Sequence, residues 1–481
     1  MEFLLESLSY VFWVAIALGI LVFVHELGHF LAARAFGMRV DKFSIGFPPK
    51  IFGKKVGDTE YVIGATPLGG YVKIAGMIDE SMDADFVGSE PQPDEFRSKP
   101  VWQRIVVITA GVIFNLIFAF MVYTGLAWSY GDTYIPAANV EQVYVADGSI
   151  AHEMGLRTGD RVVAVNGETL ERYDDFERPD AFVADPYTVT VERGGQARTF
   201  TGPDQLLSRL STVETTNLGT SPFGVSFLPA AIGSIIGGSA ADEAGLLPGD
   251  RLLAINSEPV SLWNQVTDAV QAAEGGDVGV TFLRRVGDGE EVPEAAASLT
   301  LIEERPEGLV YQSVLTPRFD DDAGRYLIGI GAPFGPLLDE IYGIERRDLG
   351  VGAAIGAGWV EAQQTLSLYV TAVARLFTGK ENVRDSVGGP VMIAKVTKDA
   401  ADAGAFGFWN IVAFLSIALA VMNILPIPAL DGGHLVFLIY EGITRREPSV
   451  KVRMVAQQVG FVLLLAFMVL VIFNDISRWV G

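Results

Sequence analysis

The 481-residue sequence contains no cysteine and only four histidines. Without cysteine the chain has no disulfides and no thiol redox chemistry, so any exported part must fold around hydrophobic cores of its own. With so few histidines, two that lie four positions apart in one motif are informative. Lysine is absent from residues 131 to 350, which sets this region apart from the rest of the chain.

Long apolar runs indicate an integral membrane protein. Four of them reach or approach the ~18 to 20 residues that a helix needs to cross a bilayer. We predict transmembrane helices within residues 1 to 34, 105 to 130, 406 to 445 and 454 to 474. The first run lacks a basic leader and a small-residue cleavage site, so we expect it to stay attached rather than be removed as a signal peptide.

Charge is distributed unevenly along the chain. Residues 131 to 350 contain 36 acidic residues and 15 arginines, and they carry nearly all of the net charge of −23. The loops after the first and third predicted helices are instead basic, and short basic loops remain in the cytoplasm. We therefore expect both termini and the acidic region on the periplasmic side of a bacterial inner membrane. Membrane lipid and transmembrane proteins are the expected partners, with no nucleic acid.

The acidic region contains an internal repeat. Residues 155 to 166 recur ninety positions later as residues 245 to 256, each with the pattern Gly-Leu-x-x-Gly-Asp-Arg followed by an alternating strand and an Asn turn. A period of ~90 residues corresponds to a domain rather than a solenoid unit. We predict two tandem, mainly β domains over 131 to 221 and 222 to 318. The pattern resembles bacterial PDZ domains, which bind extended peptides by strand addition, although the copies could equally be folded spacers.

Two further segments receive structural predictions. Residues 319 to 405 read as a membrane-proximal segment with an amphipathic helix between 351 and 377. In the cytoplasmic loop 35 to 104, residues 61 to 65 and 70 to 74 flank Thr66-Pro-Leu-Gly69 and read as a β-hairpin. Two acidic stretches, 79 to 95 and 287 to 307, have too little apolar surface to offset the cost of ordering. The fold class is thus a four-helix membrane protein with inserted β domains and a small hairpin.

The clearest chemical motif is His25-Glu-Leu-Gly-His29, at the end of the first apolar run. Residues four apart lie on one face of a helix, so His25 and His29 can bind one ion while Glu26 acts on bound water. The alternative is a pair of core histidines beside a satisfied glutamate. Ionisable groups inside a transmembrane helix are costly and generally functional, which favours a zinc site.

A catalytic zinc site needs a third protein ligand. Asp431 is the candidate, because Pro426 and Pro428 must interrupt a helix just before it and broken helices at membrane depth line cavities. His25 lies nine residues before Arg34 and Asp431 lies fourteen before Arg445, so both fall at similar depth above a basic boundary. Asp431 could also be a helix N-cap. His434 is the rival ligand, and we favour it as a supporting contact.

Together, His25-Glu-Leu-Gly-His29, the Asn423-x-x-Pro426-x-Pro428-x-Leu-Asp431-Gly-Gly segment and the tandem repeat resemble the site-2 protease family of intramembrane zinc metalloproteases. The resemblance extends over nearly the whole chain and includes Gly111-Val-Ile-Phe-Asn115 and Gly46-Phe-Pro48. It implies one Zn²⁺ held by His25, His29 and Asp431, with Glu26 as the base.

The resemblance also carries implications for substrates. Asn423, Pro426 and Pro428 would help place the substrate, and the edge of the hairpin at Gly69, Gly70 and Tyr71 would pair with an unwound substrate helix. The implied substrates are trimmed anti-sigma factors and remnant signal peptides. Two other classes compete: a membrane-anchored peptide-binding scaffold leaves His-Glu-x-x-His unexplained, and a zinc transporter leaves the tandem repeat unexplained.

Overall fold

The computed structural model describes residues 2–77, 90–212, 220–285, 298–321, 323–334, 336–379 and 388–480. The chain divides into two compact units. One comprises residues 1–132 and 347–481, and is called the membrane unit here. The other comprises residues 133–346 and is called the repeat unit.

Seven helices of eight residues or more form most of the described membrane unit. They are α1 (Glu2–Ala35), α2 (Val101–Tyr130), α8 (Val351–Phe377), α9 (Pro390–Asp402), α10 (Ala405–Ile424), α11 (Asp431–Thr444) and α12 (Val450–Val480). Four stretches are long and apolar enough to cross a membrane: Ser9–Ala35, Val101–Tyr130, Ala405–Ile424 and Val450–Phe473. The part of the chain that the structure describes thus contains four candidate membrane helices, the number predicted.

The predicted break near Pro426 and Pro428 is present. Helix α10 ends at Ile424, and α11 begins at Asp431 after six residues of non-helical chain. Neither proline can donate a backbone N–H to a helix, which accounts for the interruption. Asp431 is the first residue of α11 and Leu430 occupies the N-cap position, so Asp431 is not the cap.

Helix α8 packs against other helices rather than only along a membrane face. Gly358 lies so close to Thr124 of α2 that a Cβ there would approach its backbone nitrogen to 2.6 Å. Trp359 contacts Phe120 edge-on, and Tyr369 contacts Phe414 of α10. In a membrane the hydrophobic effect does not drive helices together, so they associate through close packing. A small residue such as Gly358 permits that close approach.

The two strands of the membrane unit, β1 (Val40–Val56) and β2 (Thr59–Ile74), pair in an unexpected way. Residues 42 to 45 of β1 pair with residues 60 to 63 of β2 on one side and with 70 to 73 on the other. The predicted hairpin between 61–65 and 70–74 is therefore wrong, because both segments pair with β1 instead of each other. Among the described strands, β1 is the one that pairs with residues 70 to 74.

The repeat unit is rich in short antiparallel strands. The first repeat contains a four-stranded sheet in the order β6-β5-β7-β8, and the second a five-stranded sheet in the order β12-β11-β13-β15-β14. The strands of these sheets are β5 (Arg161–Val165), β6 (Glu168–Thr169), β7 (Thr188–Arg193), β8 (Gln196–Thr201), β11 (Arg251–Ile255), β12 (Glu258–Pro259), β13 (Val278–Arg284), β14 (Thr300–Arg305) and β15 (Gly308–Leu315).

Shorter elements complete the unit and its ends. The strands are β3 (Asp132–Tyr134), β4 (Tyr144–Val145), β9 (Val225–Ser226), β10 (Ser234–Ile235), β16 (Arg318–Asp320), β17 (Arg325–Leu327), β18 (Ile330–Gly331) and β19 (Glu345–Arg347). The helices are α3 (Ile150–Met154), α4 (Leu206–Thr212), α5 (Ala240–Glu243), α6 (Trp263–Ala272) and α7 (Pro336–Tyr342).

The repeated Gly-Asp motif has the same structural role in both copies. Asp160 accepts hydrogen bonds from the backbone N–H of Arg157 and from the guanidinium of Arg193, at 2.9 and 2.5 Å. Asp250 likewise accepts from Leu247 and from Arg284, at 2.8 and 2.9 Å. Each Asp thus stabilises its turn through a backbone hydrogen bond and joins the turn to the end of a central strand through an arginine. The Asn turns predicted after each copy are also present, with positive φ at Asn166 and Asn256.

The boundaries of the repeats differ from those predicted. Phe223 and Val225 are buried in the core of the first repeat, which therefore extends beyond residue 221. Ile328 is buried in the core of the second, beyond residue 318. Residues 300–305, expected to lack order, form β14, and Asp94 of the other acidic stretch bonds to Arg39. Residues 79–89 and 287–297 of those stretches lie outside the described residues.

Candidate metal centre

Helix α1 delivers three polar side chains to the interior of the membrane unit. His25, Glu26 and His29 are only 7%, 9% and 8% exposed and follow a long apolar stretch of the helix. Gly28 permits this placement, because a Cβ there would lie 2.5 Å from the carbonyl oxygen of Ala110 in α2. The two helices therefore approach to backbone contact at the motif.

The three predicted metal ligands meet. The Nε2 atoms of His25 and His29 lie 3.2 Å apart, and Oδ2 of Asp431 lies 3.0 Å from the first and 3.3 Å from the second. Tetrahedral zinc with bonds of ~2.0 to 2.2 Å has ligand atoms roughly 3.3 Å apart, so the triangle matches such a site. The Oδ2 atom of Asp431 is buried and accepts no hydrogen bond from the part of the chain that the structure describes. The donor set and this orphaned oxygen fit a bound Zn²⁺.

Helix α2 supports both imidazoles from one face. The Nδ1 of His29 lies 2.8 Å from the carbonyl oxygen of Val107, which accepts its proton and leaves Nε2 free for a metal. Gly111 provides the bare backbone on which both rings rest, and Asn115 lies beside His25. Only the Gly111–Asn115 motif could be recognised from the sequence, because the carbonyl of Val107 is a backbone group.

Helix α11 brings Asp431 to the histidines. A Cβ on Gly432 would lie 2.0 Å from the carbonyl oxygen of Leu425, so the start of the helix folds tightly back on the non-helical chain. Ten residues beyond Asp431, Glu441 forms a bidentate ion pair with Arg104 of α2, with distances of 2.5 and 3.1 Å. This partly buried pair links the helix that carries Asp431 to the helix that supports the histidines, and no sequence motif indicated it.

A cavity of about 60 Å³ adjoins the three ligands. Its volume suits a few water molecules and not an extended peptide. Besides the ligands and Glu26, it is lined by Tyr71, Val72, Ile74, Met77, Ile108, Ala429, Leu430 and His434. The structure therefore places Tyr71 and His434 at the site, as predicted, whereas Met77 and Ile108 carried no recognisable signal.

The other predicted substrate residues do not line this cavity. A Cβ on Gly70 would be 3.4 Å from Cγ of Glu26, whereas Gly69 packs against the ring of Phe47. Asn423 lies in the last turn of α10, and Pro426 and Pro428 belong to the non-helical chain that follows.

Comparison with known proteins identifies the family. The model for peptidase family M50 matches residues 13–467. The chain belongs to peptidase family M50. It is 32% identical to the regulator of sigma-E protease RseP of Escherichia coli over 488 residues, covering 99% of this chain and all of the relative.

Other relatives agree with this assignment. A Vibrio cholerae protein with "zinc metalloprotease" in its name is 32% identical, covering 96% of this chain and 97% of its own length. The regulator of sigma E protease of Haemophilus influenzae is 29% identical with the same coverage. With the four membrane-spanning helices, these matches make the chain an intramembrane zinc metalloprotease.

Proposed function

We propose that this M50 protease cuts within transmembrane segments of anti-sigma factors already trimmed by another protease, and of remnant signal peptides, in an envelope stress pathway of the sigma-E type. The observation that carries the proposal is the placement of His25, His29, Asp431 and Glu26 around one buried cavity. The names of the relatives support the pathway, and the membrane helices support substrates that enter from the bilayer.

His25, His29 and Asp431 would hold the zinc through two Nε2 atoms and one carboxylate oxygen. When bound, the metal acidifies a water molecule and polarises the scissile carbonyl. Glu26 takes the proton from that water and returns it to the leaving amine. His434, which shares the cavity, supports the ligand set from α11 without being a ligand itself.

The edge of residues 70 to 74 is the proposed substrate-binding strand. Among the described strands it pairs with β1 alone, and Tyr71, Val72 and Ile74 line the cavity. Proteolysis needs an extended backbone, and an exposed strand edge offers main-chain hydrogen bonds to one. Gly69 and Gly70 keep this edge close to Glu26, while Asn423, Pro426 and Pro428 would hold the substrate from the side of the broken helix.

The repeats are proposed to be PDZ domains that govern which substrates arrive. The second repeat has an apolar groove of about 150 Å³ between α6 and residues 325 to 332, lined by Val266, Val270, Ile328 and Ile330. In the first repeat, Phe176, Phe182 and Phe223 fill the protein core at 0 to 6% exposure, next to a short 3-10 turn instead of a helix. We therefore assign any peptide binding to the second repeat.

For the location we propose the bacterial inner membrane. The basic loops indicate a cytoplasmic orientation of the metal site, and the acidic composition of residues 133–346 indicates the periplasm for the repeat unit. A scaffold without catalysis does not account for the buried triangle of ligands. A zinc transporter does not account for a buried glutamate beside those ligands on a cavity too small for a permeation path.

The proposal is tested by measuring zinc stoichiometry and cleavage of a model transmembrane peptide on the same purified protein. We expect one zinc per chain and cleavage that a chelator abolishes and added zinc restores. Bound zinc without cleavage of any membrane-embedded peptide would favour the transporter. Neither zinc nor cleavage would favour the scaffold.

A further inference from the structure

Asn115 of α2 is completely buried and its side chain faces His25. The amide Nδ2 lies 3.3 Å from Nδ1 of the imidazole. The amide Oδ1 is buried, and none of the described residues donates a hydrogen bond to it. A buried amide with an orphaned oxygen is costly, so this arrangement needs an explanation.

The zinc-bound state supplies one, and this step rests on the proposed ligation by His25. A neutral imidazole that binds metal through Nε2 carries its proton on Nδ1, and that N–H needs an acceptor. The nitrogen and oxygen of an amide exchange places when the group turns by half a revolution, and the two orientations have nearly the same shape. In the turned orientation Oδ1 of Asn115 accepts the proton of His25, and the orphaned oxygen gains its partner.

We propose that Asn115 is a positioning residue that holds His25 in the tautomer required for zinc binding. Helix α2 then serves both histidines, since the carbonyl of Val107 does the same for His29. The backbone carbonyl oxygen of Asn115, and not its side chain, accepts a 2.9 Å hydrogen bond from Ser416 of α10. His29 thus depends on a backbone carbonyl, whereas His25 depends on a side chain that a mutation can change.

One competing acceptor exists. The backbone carbonyl of Gly111 also faces the His25 ring. If that carbonyl held the Nδ1 proton, Asn115 would be only a packing residue. The two cases differ in how substitutions at Asn115 change the affinity for zinc.

The test measures zinc affinity by chelator competition on the full-length protein, together with thermal unfolding. Asn115→Leu keeps the branching of the side chain in a larger, apolar form and removes the acceptor, so we expect zinc to bind ~10 to 100-fold more weakly, the usual effect of losing such a partner. Asn115→Asp keeps an acceptor oxygen, and we expect affinity within a few-fold of the parent. Ser416→Ala is the control, because it alters packing at Asn115 and leaves the amide in place.

Unchanged affinity in a folded Asn115→Leu variant would overturn the proposal and assign the proton to Gly111. Equal losses in the Leu and Asp variants would overturn it as well, because they would point to packing. If the leucine variant does not fold, Asn115→Ala adds no bulk and gives the same comparison. A failure of the proposed zinc ligation itself gives a different result. In that case the parent protein binds no zinc, or His25→Ala does not weaken zinc binding.

Discussion

Gly111 and His29 touch in a way that leaves no room for a side chain: a Cβ on Gly111 would lie 2.4 Å from Nε2 of His29. We therefore expect Gly111→Ala to displace the imidazoles and weaken zinc binding at least ~10-fold, an effect of the size seen for ligand-orienting contacts. Gly125→Ala in the same helix is the matched control, because a Cβ there meets nothing within 4 Å. Equal zinc affinity in the two variants would contradict the geometry.

Glu26→Gln should retain zinc and lose cleavage. Glutamine preserves the shape of the side chain but cannot accept a proton from water, and such a loss typically costs ~10² to 10⁴-fold in rate. The measurement is the turnover of a transmembrane peptide at matched zinc occupancy. Near-normal turnover would remove Glu26 from its assigned role.

Asp431→Asn should lower zinc occupancy, because it replaces a charged ligand of a doubly charged ion with a neutral one. His434→Ala should keep the metal. His434 follows Asp431 by three positions and lines the cavity, but it is not one of the three proposed ligands. Metal analysis of both purified variants decides between them. Loss of zinc only in His434→Ala would show that the wrong residue was chosen as the third ligand.

Glu177 should make the first repeat sensitive to pH. Burial raises the pKa of this carboxyl to about 7, despite a 2.6 Å hydrogen bond from Ser221 that acts in the opposite direction. The folded repeat then binds a proton more tightly than the unfolded chain, whose reference pKa is 4.5. The contribution to stability is therefore complete below pH ~4.5 and is lost as the pH rises through ~7.

Thermal unfolding of residues 133–346 between pH 4.5 and 8, followed by circular dichroism, measures this effect. Glu177→Gln should remove a pH-dependent loss of at most about 3 kcal/mol. Glu168→Gln, at an exposed position of β6, should leave the pH dependence as it is. A parallel pH profile for the parent and Glu177→Gln would mean that the carboxyl titrates normally.

Removing residues 133–346 should widen the range of substrates, if the repeats restrict access by excluding substrates with large periplasmic domains. The comparison uses one transmembrane substrate with and without its periplasmic domain, cut by the full chain and by the deletion variant. Thr267→Arg, which places a bulky charge in the groove of the second repeat, should then leave cleavage of the trimmed substrate unchanged. Loss of that cleavage in a zinc-loaded variant would show that the repeats capture substrates.

Local patterns predicted the chemistry better than the pairing of segments. Short sequence patterns were enough to predict three features that the structure contains. They are the shared helix face of His25 and His29, the helix break before Asp431 and the two repeated β domains. The pairing of β1 with both halves of β2 did not follow, because strand register depends on contacts outside the strand itself. The roles of Val107 and of the Arg104–Glu441 pair were also hidden, since one is a backbone group and the other joins positions 337 residues apart.

The edge of residues 70 to 74 that faces away from β1 also has a direction. Because these residues run antiparallel to the first part of β1, a strand added antiparallel to them must run the same way as β1. Main-chain hydrogen bonds to this edge would then fix the N-to-C direction of a bound segment, whatever its side chains are. A membrane protein inserted in the opposite sense would present its backbone reversed, so the proposed edge would select substrates by their membrane topology.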